Sequence, residues 1–233
     1  MDDHRIRRRV LFGTGALLAA GATGLAAAPA HAATGVNGEA YEPAEFGTGA
    51  VEPDVDSTTE WGARRPNGTN PVIQGSPAKL IVHHTVSPNT ADFSRAQAHA
   101  HAKWVQDLHM DDNGWRDSGY NFVVSRGGWI TEGTTGSLAA LMSGQRFIMG
   151  IHTSGQNGSA IGISNEGSYH AGAVPPAAQW ESLVTLCAFA CEQYGVPSSE
   201  IYGHMDFNST QCPGIFHDRL PQLRDEVEAA RDR

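Results

Sequence analysis

The run Lys79-Leu80-Ile81-Val82, closed by His83 and His84 and followed by the turn formers Ser87-Pro88-Asn89, constrains this chain more than any other stretch. A short apolar run bounded by turn residues reads as a buried strand, and this one ends on two adjacent imidazoles. Beyond it, Phe93, Ala96, Ala100, Trp104 and Leu108 recur at intervals of three and four, which predicts a helix over residues 92–110 with that face inward. Residues 120–125 and 129–132, joined by Arg126-Gly127-Gly128, read as strand, turn, strand, and residues 160–164 as a further strand. Trp180, Leu183, Val184, Cys187, Cys191 and Tyr194 fall on one stripe of a helix with Pro176 in its first turn and Gly195 at its stop. A short strand over 200–203 leads into His204, and Leu220, Leu223 and Val227 mark a last helix. Strands interleaved irregularly with three helices predict a single α/β domain, a central mixed sheet flanked by about three helices.

The first residues read as an export signal and not as part of this fold. Arg5, Arg7, Arg8 and Arg9 form a basic head, residues 10–28 are apolar and rich in Ala and Gly, and Ala30-His31-Ala32 has the small-x-small pattern of a cleavage site. The consecutive arginines and the weakly hydrophobic, Gly-rich core resemble a twin-arginine signal, so residues 1–32 are expected to be removed during secretion. A retained membrane anchor is the alternative. No other segment is long and apolar enough to span a bilayer. Residues 33–57 are rich in Gly, Pro and acids without apolar periodicity, which predicts a flexible linker. Residues 58–233 then suit one domain with a sizeable core. The net charge of −9, more acidic still without the signal's arginines, argues against a nucleic-acid partner. An anionic polymer would have to be met by a shaped site.

Three cysteines cannot all pair with one another. Cys187 and Cys191, four apart on one helix stripe, project side by side, which predicts two buried thiols packing as small apolar residues. Cys212 differs, because it lies in the polar loop of Gly203-His204-Met205-Asp206-Phe207-Asn208-Ser209-Thr210-Gln211-Cys212-Pro213-Gly214. There it suits a thiolate ligand to zinc beside His204. One of the histidines at the strand end, His83 or His84, is the best third donor, since neighbours on a strand face opposite ways. A His, His, Cys set leaves the fourth tetrahedral position open, as catalytic zinc requires. His99 and His101 face different directions on the predicted helix and read as solvated, and His109 as helical surface.

Several local patterns then coincide: Glu60-Trp61-Gly62-Ala63-Arg64, Ile81-Val82-His83-His84-Thr85, His109-Met110 leading to Gly114-Trp115-Arg116-Asp117-Ser118-Gly119-Tyr120-Asn121-Phe122, Gly150-Ile151-His152 with Asn157 and Ile161-Gly162-Ile163, and Tyr202-Gly203-His204 through Cys212-Pro213-Gly214. In this order, across nearly all of residues 58–225, they resemble the peptidoglycan recognition protein and type 2 N-acetylmuramoyl-L-alanine amidase family. The resemblance implies one Zn²⁺ in a groove, with His83, His204 and Cys212 as ligands. Tyr120 takes the place of the family's catalytic tyrosine, and Thr210 stands where some members carry lysine and many animal-type members threonine. Glu166 is the competing acid/base. His84, Trp115, His152 and Asn157 would line the groove and bind peptidoglycan or a muropeptide.

The departures are the missing cysteine pair after His83-His84-Thr85 and Met205 in place of a common arginine. The implied reaction is hydrolysis of the amide between N-acetylmuramic acid and L-alanine, in which zinc acidifies water and polarises the carbonyl. The expected role of Tyr120 is to position that water and help move its proton, and that of Thr210 to donate a hydrogen bond to the developing oxyanion. The alternatives are a module that binds peptidoglycan without cutting it, which in this family usually lacks the cysteine ligand, and a hydrolase of another extracellular amide.

Overall fold

The computed structural model describes residues 49–232. The predicted export signal, and the predicted linker as far as residue 48, lie outside the described residues. Eight strands are formed: β1 Val55–Asp56, β2 Val72–Gln74, β3 Lys79–His84, β4 Phe122–Val124, β5 Ile130–Glu132, β6 Arg146–Ile148, β7 Ala160–Asn165 and β8 Ile201–Gly203. Six of them make one sheet in the order β1-β5-β4-β7-β3-β8, while β2 and β6 pair separately. The sheet is mixed: β4 and β5 are antiparallel and the other neighbours parallel. The α-helices are α1 Arg95–Asp107, α2 Ser137–Ser143, α3 Ala177–Tyr194, α4 Ile215–Asp218 and α5 Leu220–Arg231. The three helices expected from the sequence are α1, α3 and α5; α2 and α4 are short additions.

Side chains alternate across a strand, and here the two faces of the sheet differ in kind. One face carries Leu80 and Val82 of β3, Phe122 and Val124 of β4, and Ile161 and Ile163 of β7, packed with Leu183, Leu186 and Cys187 of α3 and Leu223 and Val227 of α5. The free thiols Cys187 and Cys191 are buried there. The other face carries His83, Thr131 and Ser164, buried polar groups that need hydrogen-bonding neighbours.

That second face explains one correction. Helix α1 starts at Ser94, whose hydroxyl accepts from the Gln97 amide (3.1 Å). Its buried residues are Ala98, His101, Ala102, Val105 and Gln106, whereas Phe93 and Trp104, expected inward, are 48% and 42% exposed. The helix turns inward a face of small and polar residues because the surface beneath offers hydrogen-bond partners: Gln106 Nε2 donates to Asp117 (2.8 Å) and to the Arg64 carbonyl (3.0 Å). Apolar periodicity picks the wrong face when the core it meets is hydrogen-bonded.

The linker expectation is corrected at its far end. Val55 and Asp56 pair with Ile130 and Thr131, and the buried Asp56 carboxylate takes hydrogen bonds from Arg95 Nε (2.9 Å) and pairs with His99 Nε2 (2.7 Å). The folded body therefore starts before residue 58. No helix among the described residues is long and apolar enough to cross a membrane.

Candidate metal centre

Strand β3 ends where its two neighbours also end, and the site forms at those carboxyl ends. In register, His83 lies beside Ser164 of β7, and Val82 beside Gly203 of β8. Directly after β8 the chain tightens into a 3₁₀ turn, His204–Asp206, which brings the His204 ring to 4.5 Å from that of His83, between centroids. The loop returns Cys212 to the same point. Its backbone is fixed by Met205 N donating to the Cys212 carbonyl (2.9 Å) and by Cys212 N donating to the Thr210 hydroxyl (3.2 Å). The Cys212 sulfur lies 3.7 Å from His83 Nδ1 and accepts from the His84 amide at 3.3 Å.

One ligand atom from each of His83, His204 and Cys212 falls within 4.8 Å of the others. A tetrahedral site with ordinary Zn–N and Zn–S bonds has donor–donor edges of roughly 3.3–3.7 Å, so these residues fit such an ion with a small contraction. Their second nitrogens are engaged elsewhere. His83 Nε2 lies 3.1 Å from His152 Nδ1 and 3.3 Å from the Thr153 hydroxyl, and His204 Nε2 lies 3.1 Å from Asn208 Oδ1. This leaves Nδ1 of each ring for the common point, with its tautomer set from behind, the arrangement usual for ligating histidines.

The electrostatics agree. Burial, then the neighbouring imidazoles His152, His204 and His84, holds His83 well below the ordinary histidine range, and burial also lowers His204. Both rings are therefore neutral, as metal ligation demands. Burial pushes the Cys212 thiol up to about 12 despite the opposing His84 N–H. In this pocket the sulfur needs a cation to become a thiolate.

Tyr120 stands against this group, its ring 5.1 Å from His83 and 5.2 Å from His109. Burial, then the nearby Cys212 sulfur, raises its phenol well above the ordinary value. His109, expected on the surface, is a buried partner missed by sequence reasoning. It sits in a π-helical turn, Leu108–Asp112, that continues α1, accepts from the Gly119 amide (2.9 Å), and packs at a tilt between the rings of Tyr120 and Trp115 (4.7 Å). A π turn reorients side chains by one position and often marks a functional site; its sequence signal was only the histidine itself.

The remaining expected site residues separate. Trp115 packs beside His109, partly exposed. His152 lies behind His83 and does not line a groove; it is buried, and burial brings it down to about 3. Its ring rests on Gly162, where any Cβ would come within 2.4 Å of it. Asn157 shapes that loop, its Oδ1 accepting from the amides of His152 and Thr153, both at 2.8 Å. His84 turns to the opposite face, toward Tyr169 and His170 (5.5 Å), because adjacent strand residues must diverge. Thr210 is exposed and supports the cysteine loop. Glu166 is held away from the centre: its oxygens accept from Gln97 Nε2 (2.8 Å) and from the Arg126 amide (2.9 Å). The loop leaving β3 is strained at Val86, exposed at φ 57° while the hydroxyls of Thr85 and Ser87 both accept from the Gly167 amide (3.1 and 3.0 Å).

Residues 74–215 match the family described as N-acetylmuramoyl-L-alanine amidase. The chain is 31% identical over 166 residues to the human N-acetylmuramoyl-L-alanine amidase, covering 70% of this chain but 27% of that protein. It is 33% identical over 170 residues to peptidoglycan-recognition protein SC1a of Drosophila melanogaster, covering 69% of this chain and 80% of that one. The solved structure of peptidoglycan recognition protein-LE in complex with tracheal cytotoxin, a monomeric diaminopimelic acid-type peptidoglycan, superposes with a TM-score of 0.61 at 26% identity, over 72% of this chain and 92% of that one. With the fold and its three-donor centre, these similarities establish that the chain belongs to the N-acetylmuramoyl-L-alanine amidase family, which it shares with the peptidoglycan-recognition proteins.

Proposed function

We propose that this protein is a secreted zinc amidase that cuts the amide between N-acetylmuramic acid and L-alanine of peptidoglycan. The observation that carries this reading is the convergence of His83, His204 and Cys212, with ligand atoms within 4.8 Å of one another, beside the Tyr120 ring, 5.1 Å from that of His83. Two neutral imidazoles and one thiolate would hold Zn²⁺, which supplies an acidified water and a polarised carbonyl. The family match supports the amide class, and the relative bound to a peptidoglycan fragment supports the polymer.

The chain's own residues then have distinct work. Tyr120 orients the attacking oxygen or the developing oxyanion and helps move the proton, and His109 packs against its ring. The Thr210 hydroxyl accepts from Cys212 N and keeps its own proton to offer a substrate oxygen. His152 and Thr153 keep His83 turned so that Nδ1 faces inward. Trp115 offers an aromatic wall on the Tyr120 side of the cleft. Export by the twin-arginine-like signal would deliver the folded enzyme to the cell wall.

The test pairs metal content with bond cleavage. Purified protein should carry one zinc per chain and release new L-alanine amino termini from a muramoyl-peptide. Cys212→Ser should lose the zinc and at least about 10³-fold in turnover while remaining folded. Zinc-loaded wild type that binds the muramoyl-peptide and leaves it intact would establish the recognition-module reading instead.

A further inference from the structure

At the edge of the sheet formed by β8 lies a cleft of about 570 Å³ that the proposed mechanism does not use. Its walls include Lys79, Tyr202, Phe207, Leu220, Pro221 and Arg224. Small-molecule sites usually enclose roughly 300–1,000 Å³. The turn His204–Asp206 connects this cleft to the metal centre: His204 faces His83, whereas Asp206 and the following Phe207 line the cleft.

An edge strand invites a further strand, but this one is already closed. Arg224 Nε and Nη2 both donate to the Ile201 carbonyl (3.0 and 2.6 Å), and the Gly203 amide donates to Asp206 Oδ2 (2.8 Å). Backbone groups that an added strand would need are taken, so the cleft suits a small ligand and not an extended peptide.

The lining describes that ligand. The rings of Tyr202 and Phe207 meet edge to face (5.3 Å, 72°) and form an apolar corner, continued by Leu220 and Pro221. Lys79 Nζ stands 5.2 Å from the centre of the Phe207 ring, and the Arg224 guanidinium 5.7 Å from that of Tyr202. Among the described residues neither cation meets a carboxylate: Lys79 donates to Gln156 Oε1 (3.1 Å) and Arg224 to the Ile201 carbonyl. The Lys79 ammonium and the Arg224 Nη1 group therefore have donors free. The acids nearby are placed differently. Asp206 is engaged by the Gly203 amide and by His217 Nε2 (2.8 Å), and Glu200 takes the Tyr202 hydroxyl (3.3 Å). Asp218 is exposed at the cleft, an acceptor for a hydroxyl. Aromatic walls beside two uncommitted cations, with acceptors around them, match a pyranose that bears an acid group.

We propose that this cleft is a second glycan site for an acid-bearing pyranose, the N-acetylmuramic acid of a strand already stripped of its peptide. Naming that sugar rests on the amidase reading. Hydrolysis adds water across the amide and breaks its C–N bond, leaving a free amine on L-alanine and a lactyl carboxylate on the sugar. Before the cut the same lactyl group is a neutral amide. The two cations distinguish these states, because a charge-assisted hydrogen bond is roughly twice as strong as a neutral one. The enzyme thereby holds strands it has cleared and meets the next stem at a raised local concentration.

Two measurements test this. In the first, zinc-loaded protein is titrated with N-acetylmuramic acid while the ring signals of Tyr202 and Phe207 are followed by NMR. Saturable shifts are expected, with affinity at least about tenfold weaker for N-acetylglucosamine, which lacks the acid, and for acetate, which lacks the sugar. Lys79→Ala and Tyr202→Ala, both at half-buried positions, should abolish the Phe207 shift. Unmoved rings overturn the proposal. Equal affinity for N-acetylglucosamine or for acetate overturns it too, since the cleft would then read only a sugar or only an anion. The second measurement compares KM on partly cleared cell wall with KM on a soluble muramoyl-peptide. Lys79→Ala should raise the ratio of wall KM to soluble KM about fivefold, and an unchanged ratio overturns the product site. Tyr202→Ala repeats both measurements should Lys79→Ala unfold. If neither substrate is cut, the amidase reading falls, while the first measurement still decides whether the cleft binds the sugar acid.

Discussion

The two faces of one sheet follow opposite rules. On the α3/α5 face, Leu80, Val82, Ile161 and Ile163 meet a mainly apolar layer, where burial removes hydrocarbon from water at about 25 cal/mol per Å². On the α1 face, His83, Ser164 and Glu166 are as deeply buried, yet each polar group costs free energy unless something pairs with it. One face supplies stability, and the other holds reactive groups at some cost to it.

Mutations should separate the two. The largest effect on folding is expected from Leu183→Ala on the apolar face, which should cost about 2–5 kcal/mol. Denaturant melts would measure that loss, and zinc stoichiometry of the folded protein should not change. A metal content that fell with it would break the distinction. Tyr120→Phe on the reactive face should do the reverse, lowering turnover about 10²-fold or more with little change in melting temperature or bound zinc. Near wild-type turnover would remove Tyr120 from the chemistry.

Acid should also find the reactive face first. Burial brings His109 down to about 4 in the folded protein, against about 6.5 when unfolded. The unfolded chain therefore takes up the proton first as pH falls, so stability is complete above about pH 6.5 and declines toward pH 4. At pH 5 the loss from this group is about 2 kcal/mol. Melting curves of wild type and His109→Asn between pH 7 and 5 would show it, since the variant should lose less. The smallest effect is at Val86, where Gly should relieve roughly 1 kcal/mol of left-handed strain. A lower melting temperature for Val86→Gly would mean that the loop is not strained there.

Much of this was legible in the sequence where it depended on local pattern. The strand ending at His83 and His84, helix α3 with its thiol stripe, and the odd status of Cys212 follow from short-range spacing. The face of α1 did not, because Trp104 and Phe93 look like core until the polar surface under the helix is known. Asp56 read as linker composition for the same reason: a carboxylate is a solvated charge until Arg95 and His99 meet it from 39 and 43 residues away. His109 and His152 carried no signal of their roles, since an imidazole becomes a support only through what it touches.

The sequence by itself determined the kinds of donor, their order along the chain and the elements that carry them, since strand and helix periods are properties of neighbouring residues. Only the tertiary structure decided which nitrogen of His83 faces the sulfur, that His152 stands behind that ring, and that Glu166 turns to Gln97 and the Arg126 amide. Those outcomes depend on register between strands and on helices packed from distant parts of the chain, and no local pattern encodes the direction in which a side chain finds its partner.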